Sequence, residues 1–149
     1  MSSQTQATPI ALDSNALKAL FKHYDLAVHQ RVAQGVLQVY VPVIVYAEQA
    51  IYPGMPIDDA VEALNAQVIP LKIRHARRLG RLWQTLPDPF RRQRKRDLWR
   101  THKFDLLIVA MALHEGWTLV TQDSGPAFDA PGLPALTVEQ FVAQYLRGD

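Results

Sequence analysis

The sequence predicts an α/β protein: a central, mainly parallel sheet with helices on both faces, in three layers. Three observations carry that prediction. Short apolar runs, "PIAL", "VLQVYV", "VIPL", "WTLVT" and "LPAL", alternate with segments of helical periodicity, the order expected of βαβ units. Parallel strands of that kind are covered on both faces, which suits runs as apolar as these. The 149 residues, 48% hydrophobic and 20% charged, are enough for one domain with a substantial core and argue against wholesale disorder.

Taken in order, Met1 to Thr8 reads as a disordered lead, and residues 9–149 as a single domain. "PIAL" is a buried strand followed by "DSN", a helix cap. Leu17, Leu20, Phe21, Tyr24 and Val28, spaced by three and four, predict one amphipathic helix stopped by Gly35. "VLQVYV" is strand-like through its β-branched and aromatic residues, and Pro42 suits the first turn of the next helix. "PIDDAVEALNAQ" predicts a short helix, "VIPL" a strand, and "IRHARRLGRLWQTL" a helix halted by Pro87 and Pro89. A helix over Phe104 to His114, the strand "WTLVT", a Gly/Pro-rich loop, the weak strand "LPAL" and a terminal helix "VEQFVAQYLR" complete the chain.

Composition excludes several chemistries. There is no cysteine, so disulfides, thiolate nucleophiles and zinc-cysteine sites are ruled out. No run approaches the roughly 20 apolar residues that span a bilayer, and "MSSQTQATPI" has neither a basic residue nor an apolar core of a signal peptide. A cytoplasmic protein without membrane contact is expected. The net charge is only +2, yet "RRQRKRDLWRTHK", Arg91 to Lys103, holds seven of the sixteen Lys and Arg residues. Arg92, Arg94, Lys95 and Arg96, with Trp99 among them, are candidates to track a nucleic-acid backbone and stack on a base, or they form a solvated face. The five histidines fall at no ligand spacing and read as surface or core residues.

Acids are the more informative residues. Asp13 follows the first strand and Asp123 follows "WTLVTQ", so both lie at carboxyl ends of strands, the rim where parallel sheets bind ligands. Asp105 opens the apolar block that leads into the strand before Asp123. Glu48 has Ile44, Val45, Ile51 and Tyr52 as helical neighbours and so interrupts an apparently buried stripe. Converging carboxylates repel unless a cation joins them, and an all-oxygen donor set favours Mg²⁺ or Mn²⁺. Each acid also has an ordinary explanation: Asp13 as a helix cap, Asp105 at a helix dipole, Asp123 as turn chemistry in "DSGP".

"LDSNAL", "VYAEQ", "FDLLIVAMALHEGWTLVTQD", Phe128 and "PGL" together resemble the PIN-domain nucleases, especially VapC-type toxins of bacterial toxin-antitoxin pairs. The resemblance runs from about Ile10 to Leu136. It implies a PIN-like α/β/α fold and a Mg²⁺- or Mn²⁺-dependent endoribonuclease that leaves a 5′-phosphate, with Asp13, Glu48, Asp105 and Asp123 as catalytic metal ligands. Asn15 and Thr121 match the polar positions beside the first and last acids. Also implied are an RNA substrate, a homodimer, and a cognate antitoxin whose helical tail crosses the toxin's groove, which gives the basic segment a third reading as an antitoxin contact. Three departures stand out: "VPVIV" where such toxins often have Ser or Thr, a longer leader, and an enlarged basic segment. Other readings are a PIN-fold module that binds RNA or a protein without catalysis, and a DNA-directed nuclease. An aspartyl-nucleophile phosphohydrolase is disfavoured, since it needs an acid where Asn15 stands.

Overall fold

The computed structural model describes residues 6–52, 55–86, 95–122 and 126–147. Five strands, β1 (Thr8–Leu12), β2 (Leu37–Pro42), β3 (Gln67–Ile69), β4 (Thr118–Val120) and β5 (Ala135–Leu136), form one parallel sheet in the order β3-β2-β1-β4-β5. The helices are α1 (Ser14–His23), α2 (Asp25–Ala33), α3 (Val43–Ala50), α4 (Ile57–Ala63), α5 (Ile73–Thr85), α6 (Lys95–Glu115) and α7 (Val138–Phe141), the last continued by a π-helical turn, Val142–Leu146. Successive strand residues face opposite sides of a sheet. In β1, Ile10, Ala11 and Leu12 are all at 0% exposure, so helices cover both faces, as the sequence predicts.

Several elements differ from expectation. The first strand begins at Thr8, inside the expected lead, because the Thr8 N–H donates to the Val36 carbonyl at 3.0 Å and the residue pairs with Leu37; Met1 to Thr5 lie outside the described residues. The long helix before Gly35 is two helices. Tyr24 leaves helical geometry (φ −137°, ψ 19°) while its N–H closes α1 on Leu20 and its carbonyl opens α2 on Val28. That break turns α2 so that Val28 is buried and Leu26 exposed. Pro42 ends β2 in extended geometry and flanks α3 from outside. The third strand stops at Ile69, before Pro70, which has no N–H for a ladder.

The largest difference is α6, which starts at Lys95 instead of Phe104. Lys, Arg, Leu and Trp tolerate helix well, so the winding of the apolar block extends back through the basic residues. Gly116, at φ +75°, ends α6, a left-handed backbone that glycine adopts without strain. The Trp117 N–H then returns to the Ala112 carbonyl at 2.9 Å, closing the helix end. At the same end a clamp joins α6 to α5. The Lys72 N–H donates to His75 Nδ1 at 3.0 Å, so the proton of the neutral ring sits on Nε2 and is donated to Glu115 Oε1 at 2.8 Å. Arg74 reaches the same oxygen at 3.2 Å. Burial pushes the Glu115 carboxyl up, but the His75 hydrogen bond and the Arg74 charge outweigh it and hold it below its usual range.

Candidate functional site

In the order β3-β2-β1-β4-β5 the chain winds one way from β1 to β3 and the other way from β4 to β5. The reversal falls between β1 and β4, and a crevice opens outside the carboxyl ends of strands at such a point. Leu12 pairs with Val120 there, and the Asp13 N–H donates to the Val120 carbonyl at 3.2 Å. Asp13 and Thr121, the residues just beyond these strands, consequently touch. The Thr121 hydroxyl donates a short hydrogen bond to Asp13 Oδ2, and both side chains are buried.

Asp13 has a second role. Its Oδ1 accepts the Ala16 N–H at 2.8 Å as the N-cap of α1, the ordinary explanation the sequence offered. The two roles are compatible, because a carboxylate has about four acceptor positions and these bonds occupy two of them.

A cleft of about 250 Å³ opens over Asp13, lined by side chains from α1, α3 with its C-terminal flank, and α6: among them Asn15, Lys18, Glu48, Gln49 and Asp105. Asp13, Glu48 and Asp105 thus come from three parts of the chain to one wall system. Ser14 Oγ donates to Glu48 Oε1 at 3.3 Å, bridging α1 to α3. Tyr46, earlier on α3, donates to Asp58 of α4 at 2.6 Å; that bond and the Asp58 charge hold its phenol above the usual range.

Two expectations about these acids are corrected. Asp105 does not open a helix; it lies near the middle of α6, half-buried. No helix N-terminus stabilises it. Glu48 does not interrupt a buried stripe. The inward face of α3 runs through Val45 to Gln49, while Glu48 is half-buried and Ile51 and Tyr52 are 75% and 56% exposed beyond the helix end. Glu48 is therefore turned towards the cleft edge.

Sequence reasoning missed Gln49 and Lys18. Gln49 is 2% exposed, and its Oε1 has no hydrogen-bond partner among the described residues. An amide oxygen left so costs about 1–3 kcal/mol. Its signal was available: it stands four residues after Val45, on the face that α3 buries. Lys18 lies 5.9 Å over the Tyr52 ring at the rim of the cleft and adds the one cation to its described lining. Trp99, on the first half of α6, is 42% exposed. Asp123, Arg92 and Arg94 lie outside the described residues, as do the side chains of Lys95 and Arg96.

Among the described residues no group of three His, Asp or Glu side chains is already gathered at metal-ligand geometry. The donor chemistry of the cleft still suits a hard divalent cation. Its acids offer only oxygen, and Gln49, whose buried Oε1 has no hydrogen-bond partner among the described residues, lines the same cleft.

This sheet order with helices on both faces and an acid cleft at its reversal is a PIN-like architecture. Comparison with solved structures bears out the fold. The chain is similar to a chain of the VapBC-1 complex from nontypeable Haemophilus influenzae, with a TM-score of 0.60 and 18% identity over 89% of this chain and 99% of that one. It is similar also to a chain of VapBC2 from Rickettsia felis bound to a promoter DNA fragment (0.56, 19%, 87% and 98%). A toxin-antitoxin complex from Klebsiella pneumoniae gives comparable values (0.55, 19%, 87% and 97%). No protein-family model matches the chain, and no curated protein sequence does. The fold expected from the VapC-like resemblance is thus matched in three dimensions.

Proposed function

We propose that the chain is a divalent-cation-dependent endoribonuclease acting as the toxin of a toxin-antitoxin pair. The observation that carries this reading is that Asp13, Glu48 and Asp105, from three separate parts of the chain, line one cleft at the reversal point of the sheet. In this reading the three acids, with Asp123, hold Mg²⁺ or Mn²⁺. When bound there, such an ion would supply a more acidic water and charge stabilisation at the scissile phosphate. Asp13 is oriented by Thr121 and by the start of α1, Glu48 by Ser14, and Asp105 by the packing of α6. Asn15 and Lys18 stand at the mouth, where Lys18 meets a phosphate. The basic residues Arg92, Arg94, Lys95 and Arg96, and Trp99, extend the contact along RNA.

The antitoxin belongs to the same proposal. An apolar groove of about 370 Å³, lined by Val43, Ile44, Ala47, Ile51 and Phe104, adjoins Glu48, and Ile51 and Phe104 are exposed there. A partner helix seated in it would lie beside the acids and block them. The homodimer rests on the resemblance; no helix among the described residues is long and apolar enough to cross a membrane.

The test is cleavage of matched RNA and DNA oligonucleotides by the purified chain with Mg²⁺, Mn²⁺ or chelator. RNA cleavage is expected with metal, not with chelator, and not with Asp105→Asn. Cleavage of DNA alone would assign a different nuclease. Binding of RNA without metal-dependent cleavage would assign the non-catalytic module.

A further inference from the structure

We infer that Gln49 is an additional, neutral oxygen donor of the acid cleft, accepting hydrogen bonds from the water shell of the bound cation. This rests on the cation-site reading above. Gln49 lines the same cleft as Asp13, Glu48 and Asp105, and its Oε1 is buried with no partner among the described residues. A leucine or methionine would fill an inward position next after Val45 without leaving a polar atom unsatisfied. An unsatisfied acceptor on a side chain beside such a cleft is one that a bound water or ion would satisfy.

The polarity of the orphan narrows the ligand. An amide oxygen only accepts, so a phosphate or other oxyanion would not satisfy it. The neighbouring carboxylates, when ionised, likewise offer no donor, and the donors that share the lining, Ser14, Asn15 and Lys18, make no hydrogen bond to it. A hydrated divalent ion does offer donors, through its coordinated water. A carbonyl at this point adds an acceptor for coordinated water without adding to the repulsion among three acids. The terminal torsion of a glutamine side chain is soft, so the oxygen can turn towards such a water without movement of α3.

The experiment uses the full chain without nucleic acid, so that no ribose hydroxyl can serve as the donor. Mn²⁺ binding is followed by calorimetry and by the Mn²⁺ electron paramagnetic resonance signal, and thermal unfolding is recorded after chelation. The proteins are the parent, Gln49→Leu, Gln49→Met and Asp13→Asn. Both Gln49 variants are expected to weaken Mn²⁺ binding about tenfold, as loss of an outer contact to a metal site does, while melting no lower than the parent without metal. Unchanged Mn²⁺ affinity in both variants, beside parent binding that Asp13→Asn abolishes, would overturn the role of Gln49 alone. A parent that binds no Mn²⁺ would overturn the cation site and this inference with it. If Gln49→Leu does not fold, the methionine variant decides the matter.

Discussion

Asp13 is the residue at which stability and activity can be separated, because each of its oxygens has a known partner. Asp13→Ala removes the acceptor of the Ala16 N–H and the acceptor of the buried Thr121 hydroxyl. Loss of the cap costs about 1 kcal/mol and loss of the hydroxyl's acceptor about 1–3 kcal/mol, together roughly 3 kcal/mol. For a chain of this length that lowers Tm by about 6–12 °C. Asp13→Asn keeps an oxygen for the cap, and asparagine caps as well as aspartate. Its amide nitrogen meets Thr121, whose hydroxyl turns to accept, so the destabilisation is held to about 1 kcal/mol. Activity should not follow stability. Both variants remove a carboxylate from the cleft, and forfeiting even 2.7 kcal/mol of the several that a metal site supplies slows cleavage about 100-fold. The assays are thermal unfolding and Mn²⁺-dependent RNA cleavage on the same preparations. An asparagine variant that cleaves like the parent would refute the acid's role. One that melts as low as the alanine variant would refute the hydrogen-bond reasoning.

Two further outcomes concern the rest of the molecule. Neutralising Arg92, Arg94 and Arg96 should weaken RNA binding and lower the slope of log affinity against log salt by about 0.7 for each phosphate that is no longer neutralised; an unchanged slope in a filter-binding titration would return these residues to a solvated face or an antitoxin interface. Glu115→Gln should destabilise the fold by about 1 kcal/mol at pH 7, a value discounted for the partial exposure of the carboxylate. Because the folded-state value of Glu115 is depressed, its contribution is present above the unfolded value near pH 4.3 and is lost as pH falls through the folded value. Parent and variant should therefore converge in denaturant midpoint at low pH, and a gap that widens there would contradict the clamp.

Much of the architecture was legible because it rests on local chemistry. The strands are short apolar runs, and the residues just past the ends of parallel strands share one rim, so the nearness of Asp13 and Thr121 was readable from their order. Helix boundaries were less so. Nothing in Leu17 to Val28 breaks the period of three and four, and the break shows only in the backbone of Tyr24, at φ −137° and ψ 19°. The start of α6 was hidden because charged residues read as loop when their helical propensity is outweighed by their polarity. Glu48 was singled out for a reason that does not hold, since Ile51 and Tyr52 lie past the end of α3. The same mistaken stripe concealed Gln49, whose burial depends on where the helix stops.

The clamp at the end of α6 bears on the cleft through distance. Ten residues separate Glu115 from Asp105 along one helix, about 15 Å at 1.5 Å per residue. A carboxylate near the middle of α6 has no helix cap of its own, and the seating of the rod contributes to its position. Asp13 and Glu48 are oriented by hydrogen bonds beside them, from Ala16 and Thr121 and from Ser14. The buried His75 ties α5 to the far end of that rod, while Leu106, Ile108 and Val109 bury the flank of the helix beside Asp105. The acid cleft is thus held both by local bonds at Asp13 and Glu48 and by the packing of the helix that carries Asp105.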